Sequence, residues 1–189
     1  MLAIALTCHP ATPCERIRRF TVQASRTAGG LLALHYVIEG DLADVRLPES
    51  RPPRRADELW LHTCCEAFLA GRGRESYYEF NFAPSTEWAV YRFDAYRTGR
   101  TVVEPIERPT ITLRAGADRL ELEAVVRLTE WSTALGAADL WLALSAVIEE
   151  QNGQCSYWAL RRPPGPPDFH HPDCFALSLD QIAPASGLT

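Results

Sequence analysis

Lysine is absent from the sequence: all nineteen of its basic residues are arginine. They stand against 24 acidic residues and give a formal net charge of −5, which disfavours a nucleic-acid-binding surface. No apolar stretch approaches the roughly 18 residues that a membrane-spanning helix needs. The glycine-rich phosphate loops and the nucleophile elbow of hydrolases (GxGxxG, P-loop, GxSxG) are also missing. We therefore expect neither nucleic acid nor a membrane as a partner.

The N-terminal run MLAIALTC lacks the features of an export signal. It has no positively charged start, it is about half as long as the apolar region of such a signal, and His9 and Pro10 follow it at once. A short edge strand accounts better for these residues. We therefore expect a cytoplasmic protein whose six cysteines are free thiols.

Strand patterns and turn residues dominate the rest of the chain. Residues 77 to 82 (YYEFNF) alternate strictly between two faces, which is typical of a half-buried strand. Asn152-Gly153 is a strong hairpin signal because both residue types tolerate a positive φ. Three hairpins are predicted: 77–82 with 88–94, 110–114 with 119–127, and 140–149 with 155–160.

The remaining segments complete an all-β prediction. Further strands are expected at 31–38, 59–69 and 174–179, and a short helix capped by Thr129 or Ser132 is expected at 129–138. Five prolines exclude regular structure from residues 163 to 172 (PPGPPDFHHP). About ten or eleven strands at hairpin spacing predict an antiparallel β-sandwich with little helix. We expect one domain over residues 1–189.

Several segments resemble a known family. Residues 59–68 (LWLHTCCEAF) and 77–85 (YYEFNFAPS) resemble the central strand and the following hairpin of family 9 carbohydrate-binding modules. Residues 157–160 (YWAL) and 167–171 (PDFHH) resemble a bacterial, DOMON-like subgroup of that superfamily. The resemblance implies a jelly-roll-like sandwich with a concave sheet face that holds a sugar or, in other DOMON relatives, a haem.

Alternation along two neighbouring strands predicts a polar stripe. His62, Cys64 and Glu66 face one way on the first strand, and Glu79 and Asn81 have the same spacing on the next. If the two strands pair, these groups share one face, where they could bond to the hydroxyls of a small ligand. The alternative is an exposed outer face that is solvated and has no ligand.

The other expected ligand contacts come from later in the chain. Trp158 could supply a flat apolar platform, and Arg92 or Arg161 a forked hydrogen-bond donor. Asp168 and His170 lie in the proline-rich loop, which could hold them over the groove as a lid or merely cover a sheet edge. Three of the other tryptophans lie in apolar runs and are expected in the core: Trp60, Trp131 and Trp141. Trp88 begins its strand and is expected to be exposed.

Metal and haem sites are not predicted. Zinc ligands usually come in spaced pairs, whereas the cysteines at 64–65 and the histidines at 170–171 are adjacent and diverge on a strand. Met1 is the only methionine, which leaves only a paired-histidine haem formally open, through His62 with a histidine of the proline-rich loop. We therefore expect no metal and no cofactor.

Three functions remain open. Non-catalytic binding of a small polar ligand, a sugar or sugar derivative, is the favoured one. An acid/base or metal-assisted enzyme would use His62, Glu66 and His170, but alternate side chains on a strand lie about 6 to 7 Å apart, too far for direct proton transfer. The third is a protein-interaction module, which a large apolar patch around Trp88 and Tyr91 would favour.

Overall fold

The structure is a computed structural model, and it describes residues 2–27, 29–137 and 139–182. Antiparallel strands form most of the regular structure of these residues. The strands are β1 (Leu2–Ala5), β2 (Thr7–Cys8), β3 (Ile17–Arg26), β4 (Leu31–Gly40), β5 (Cys64–Gly71), β6 (Tyr77–Phe82), β7 (Trp88–Phe93), β8 (Thr101–Val102), β9 (Thr110–Ala115), β10 (Arg119–Arg127), β11 (Leu140–Glu149), β12 (Cys155–Ala159) and β13 (Leu177–Ser178). One α-helix, α1 (Thr129–Leu135), and three 3-10 turns accompany them: Leu59–Leu61, Pro172–Cys174 and Leu179–Gln181.

Two sheets pack face to face. The first has the order β1-β3-β4-β10-β9, and the second has the order β2-β12-β11-β5-β6-β7-β8, with β13 also paired to β11. Every pairing between these strands is antiparallel, so the predicted antiparallel β-sandwich is confirmed. The segment before His9 serves both sheets, because β1 pairs with β3 while β2 pairs with β12.

The main core lies between the two sheets. Tyr36 on β4, Leu122 on β10 and Phe82 on β6 are among its fully buried side chains. Burial of each such side chain contributes roughly 1.5 to 3 kcal/mol. The Tyr36 hydroxyl crosses the core and donates a hydrogen bond of 2.8 Å to the carbonyl oxygen of Glu66 on β5. This bond ties the first sheet to the strand that carries the candidate site.

All three predicted hairpins are confirmed by the strand pairings β6–β7, β9–β10 and β11–β12. In the third, Gly153 has a φ of 83°, a conformation that glycine adopts without the steric penalty of a side chain. These turns are short, so the alternation of each strand fixes which residues face the core.

Strand β3 was not expected from the sequence. It pairs along its length with β4 and β1, and it buries Phe20, Val22 and Ala24. Arg18 and Arg19 precede this apolar set, and the register with β4 shifts between residues 17 and 19. The irregular start hides the alternation that marks the other strands.

Two further predictions were partly wrong. Helix α1 begins at Thr129 as expected but ends at Leu135, where Gly136 takes a left-handed φ of 55°, and no side chain caps its start. The predicted end at residue 138 lies outside the described residues. The strand expected at 174–179 is reduced to β13 between two 3-10 turns. With seven residues α1 cannot cross a membrane, and the described part of the chain has no other helix long and apolar enough to do so.

The outer face of the second sheet is covered rather than solvated. All eight residues of β5 are buried, including those that point away from the main core. A second apolar cluster lies on this outer face and includes Phe68, Tyr77, Tyr91 and Phe93. Phe169, Phe175 and Cys174 of the proline-rich loop and the following segment pack against it. The exposed outer face considered from the sequence is therefore absent here, and the candidate site lies beneath these covering segments.

Candidate functional site

The pairing of β5 with β6 places the predicted polar side chains together. Glu66 lies opposite Asn81 in the register, and Phe68 lies opposite Glu79. Their alternate neighbours, such as Cys65 and Phe80, belong to the core between the sheets. Glu66, Glu79 and Asn81 therefore share the outer face of the second sheet, in diagonal and directly opposed positions.

A cavity of 460 Å³ opens above this polar stripe. Strand residues form its floor, among them the carboxyl groups of Glu66 and Glu79. Loops form its rim and bring two arginines, Arg97 and Arg100, and the ring of His170. The walls are largely aromatic: Trp60, Phe93, Tyr157 and Phe169. A polar floor with aromatic walls is the usual composition of a small-molecule site.

The two floor carboxyl groups are deeply buried, with 2% of Glu66 and 5% of Glu79 exposed. Burial raises the pKa of Glu66 well above its ordinary value, and the neighbouring charge of Glu79 raises it further. The Ser145 hydroxyl donates a hydrogen bond of 3.2 Å to Glu66. Burial also raises the pKa of Glu79, although the side-chain amide of Asn81, which donates a hydrogen bond of 2.7 Å, opposes this shift. The pair therefore keeps a proton to higher pH than exposed carboxyl groups do.

His170 descends from the proline-rich loop into the second apolar cluster. Its ring packs edge-on against Phe68 and Phe93, with centroid separations of 5.1 and 5.0 Å. Burial, reinforced by the positive charge of Arg97, lowers the pKa of His170 to about 4. The imidazole is therefore neutral at physiological pH.

The tautomer of His170 follows from its partner Tyr77. The backbone N–H of Arg97 donates to the Tyr77 hydroxyl oxygen at 3.2 Å, so the hydroxyl is free to donate its own proton to Nδ1 of His170, 2.7 Å away. Burial raises the pKa of Tyr77 to about 12, so this hydroxyl keeps its proton. The imidazole proton then lies on Nε2, which is 3.8 Å from a carboxyl oxygen of Glu79.

Asp168 fixes the loop without lining the cavity. Its carboxylate accepts a hydrogen bond of 2.8 Å from the Arg97 guanidinium and another from the hydroxyl of Tyr96. The same carboxylate accepts from the backbone N–H of His170 at 3.1 Å. These bonds lower the pKa of Asp168 even though burial opposes the shift. The predicted lid residues are thus tied to the segment after β7, and His170 is the one that reaches the cavity.

Three predicted ligand contacts lie outside the cavity. Trp158 points into the core between the sheets, is 6% exposed and packs against Phe20, because its neighbour Tyr157 takes the outward position on β12. Arg92 follows Tyr91 on β7 and therefore points to the opposite sheet face, and its guanidinium forms an ion pair of 2.8 Å with Asp94. Arg161 is exposed after the end of β12 and does not line the cavity. None of these three predicted contacts therefore lies at the cavity of the floor carboxyl groups.

His62 also lies apart from the floor carboxyls. It precedes β5 instead of belonging to it, because residues 59–61 form a 3-10 turn. Its Nδ1 is 2.8 Å from a carboxyl oxygen of Glu149, and it lines a neighbouring cleft instead. The catalytic group of His62, Glu66 and His170 is therefore not assembled in one cavity. Within the described ranges, no cluster of three or more histidine, cysteine, aspartate or glutamate side chains is arranged to hold a metal ion.

Other tryptophans also differ from expectation. Trp60, expected in the core, is half-buried and lines the cavity. Trp88, expected at an exposed strand start, is 5% exposed, and Tyr91 is buried as well. The apolar surface patch that would favour a protein-interaction module is therefore absent around these two residues. Trp141, also expected in the core, is half-buried under the guanidinium of Arg72, 5.7 Å from its ring.

A second cavity of 600 Å³ lies on the far side of His170. Trp141, Tyr96 and Phe175 contribute to its lining, and His170 lines both cavities. The Tyr77–His170 pair therefore stands between two hollows on the same sheet face.

Arg97 and Arg100 were missed because they lie in the loop between β7 and β8, where no periodic pattern marks them. The guanidinium of Arg100 lies 5.5 Å from the ring centre of Trp60 and 5.2 Å from that of Tyr91. The only hint in the sequence is the pair of arginines itself, in YRTGR at residues 96–100. Nothing in that pattern shows which sheet face the loop will border.

No family model matches the chain, and no curated protein shows significant sequence similarity to it. The fold is similar to that of a solved structure from Bacteroides uniformis ATCC 8492, named a "putative carbohydrate-binding protein". The two share 15% sequence identity with a TM-score of 0.70, over 93% of this chain and 84% of the other. At that identity the likeness establishes a shared β-sandwich fold.

Proposed function

We propose that the protein binds a sugar or sugar derivative, without catalysis, in the 460 Å³ cavity on the outer face of its second sheet. The observation that carries this proposal is the pair of buried carboxyl groups, Glu66 and Glu79, at the floor of an aromatic-walled cavity. Glu79 has only the neutral imidazole of His170 nearby, 3.8 Å away, and Glu66 bonds to the neutral hydroxyl of Ser145. Buried carboxyl groups that form no ion pair with a cation are costly, so a site that retains two of them favours a ligand that bonds to both.

Each floor group has a role suited to hydroxyl groups. A carboxyl group donates and accepts when protonated and only accepts when ionised, so in either state the pair can bond to adjacent hydroxyls of one ring. Asn81 orients Glu79 through its 2.7 Å hydrogen bond. Trp60 and Phe169 take the place of the expected platform at Trp158, because they line the same cavity and offer apolar rings to the C–H face of a sugar.

Wider features support the same proposal. The resemblance of residues 59–68 and 77–85 to family 9 carbohydrate-binding modules agrees with the "putative carbohydrate-binding protein" named among the solved structures. On this basis we propose that the chain is of the DOMON-like, jelly-roll type and forms one domain over residues 1–189. All six cysteines are unbridged, which supports a reducing, cytoplasmic setting.

Calorimetric titration of a panel of neutral and acidic mono- and disaccharides tests the proposal. We expect at least one sugar to bind, and Glu66→Gln to weaken that binding about tenfold, because the amide replaces one acceptor oxygen of the carboxyl group by an N–H donor. Glu123→Gln is the matched control, since this exposed glutamate lies on β10 of the other sheet. Absence of binding by every sugar, or equal affinities of the two variants, would contradict the proposal.

A further inference from the structure

Arg100 is a cation of the cavity rim that no carboxylate neutralises directly. Its guanidinium stacks near the rings of Trp60 and Tyr91, at 5.5 and 5.2 Å from their centres. Among the described residues, no carboxylate oxygen lies within ion-pair distance of its nitrogens. The two aromatic rings hold the guanidinium by cation–π attraction, which leaves its N–H donors available at the edge.

The other charges around the cavity are already matched. Arg97 forms an ion pair of 2.8 Å with Asp168. Asp57, the carboxylate whose pKa Arg100 helps to lower, is bound by Arg55 and accepts a 2.6 Å hydrogen bond from the Tyr91 hydroxyl. The guanidinium of Arg100 is therefore the one rim charge of the described cavity lining without a carboxylate partner.

Among the described residues, neither floor carboxyl group forms an ion pair with Arg100, although the charges of Arg100 and Arg97 favour the ionised form of Glu79 against its burial. Glu66 forms its hydrogen bond with the neutral hydroxyl of Ser145, and Glu79 forms its own with the neutral amide of Asn81. Both carboxyl groups have raised pKa values because of burial, so the floor carries less negative charge than two exposed glutamates would. An anionic group entering at the rim would meet a neutral histidine and an unpaired guanidinium.

Resting on the proposed sugar site, we propose that the ligand is an acidic sugar of the uronate class, whose carboxylate pairs with Arg100 while its ring hydroxyls bond to Glu66 and Glu79. A planar carboxylate fits the fork of a guanidinium through two parallel N–H···O bonds. One unpaired guanidinium matches the single charge of a uronate better than the double charge of a phosphate monoester. The fixed stack on Trp60 and Tyr91 reduces the side-chain entropy lost when the pair forms.

Matched sugar pairs test this inference: D-glucuronate against D-glucose and D-galacturonate against D-galactose, titrated by calorimetry. At low ionic strength we expect one uronate to bind about threefold to fivefold more tightly than its neutral partner, the range of a partly exposed ion pair. The difference should shrink at high salt, because screening weakens exposed charge pairs. Arg100→Gln should abolish the preference, while Arg114→Gln, an exposed arginine of β9 on the other sheet, should retain it.

The outcomes separate this inference from the proposed function. If a neutral sugar binds as tightly as its uronate and Glu66→Gln still weakens binding, the uronate assignment is overturned and the sugar site stands. If D-glucose 6-phosphate binds more tightly than either uronate, the carboxylate assignment is likewise overturned. If no sugar of any charge binds, the proposed function itself is wrong.

Discussion

The hydroxyl oxygen of Tyr77 lies 2.7 Å from Nδ1 of His170, and through this contact the proline-rich loop is fixed onto the outer face of the second sheet. Tyr77 belongs to β6, the strand that also carries Glu79 and Asn81. The position of the loop and the floor of the cavity are therefore set by one strand. His170 in turn lies beside Glu79, so a shift of the loop would change the surroundings of this carboxyl group in the candidate site.

Removal of the Tyr77 hydroxyl should destabilise the protein. Tyr77→Phe leaves Nδ1 of His170 and the backbone N–H of Arg97 without their partner, at a cost of about 1 to 3 kcal/mol in the free energy of unfolding. Urea unfolding measures this loss. The control is Tyr157→Phe, whose hydroxyl makes no hydrogen bond with a described residue. Equal losses in the two variants would show that the Tyr77–His170 bond contributes nothing specific.

The pKa of His170 predicts a loss of stability in mild acid. Because the folded-state pKa of about 4 lies below the ordinary value of 6.5, the unfolded chain binds the proton more readily than the folded one. The free energy of unfolding should therefore fall as the pH drops from 6.5 to about 4, by roughly 3 kcal/mol in total. Urea unfolding across this range should show a shallower decline for His170→Asn than for the unmodified protein. Parallel profiles would mean that His170 titrates normally.

Glu66→Gln should raise stability at alkaline pH even though it weakens ligand binding. The raised folded-state pKa of Glu66 means that its favourable contribution is present below the ordinary pKa and is lost as the pH rises through the folded value. At pH about 8 the amide avoids the cost of a buried charge, and we expect a gain of about 1 to 3 kcal/mol over the unmodified protein. This gain should shrink toward pH about 5. Thermal unfolding at both pH values checks it, and a variant less stable at the higher pH would contradict the raised pKa.

The two tryptophans Trp60 and Trp158 should respond in opposite ways. Trp158→Ala opens a void in the core between the sheets and should cost about 3 to 5 kcal/mol of stability. Trp60→Ala removes a half-buried cavity wall, so its main effect should be weaker sugar binding at a smaller stability cost. Unfolding and calorimetric titration of both variants give the comparison. A larger stability loss for Trp60→Ala than for Trp158→Ala would reverse this assignment.

The alternation of residues was sufficient to predict which carboxyl groups would meet. Glu66 and Glu79 lie on strands joined by a short connection, so period-two parity places both on one face once the strands pair. The same rule did not show which way Trp158 points, because β11 is buried on both faces and β12 carries an aromatic ring on each face, Tyr157 on one and Trp158 on the other. Apolarity alone therefore does not show which side of these strands is the core. Parity can group residues on such strands, but it cannot assign the groups to a face.

The rim could not be predicted in the same way. Trp60 lies in an apolar run whose pattern predicts a strand. In the structure, however, Glu58 takes a left-handed φ of 61° and residues 59–61 form a 3-10 turn. This turn directs the indole of Trp60 toward the cavity. Arg97 and Arg100 come from a loop whose course depends on the tertiary bonds of Asp168. Loops lack the periodicity on which sequence reading depends, and here they supply the side chains that would distinguish one ligand from another.

The N-terminal segment links the two sheets, because one part of it pairs with each sheet. Residues 2–5 are hydrogen-bonded into one layer and residues 7–8 into the other, with buried Leu6 between them. The layers cannot slide or hinge apart at this end unless one of these attachments breaks first. Proteolysis of this segment, or a bulky fusion that displaces it, would therefore weaken the packing of the two sheets against each other while leaving every residue of the cavity chemically intact.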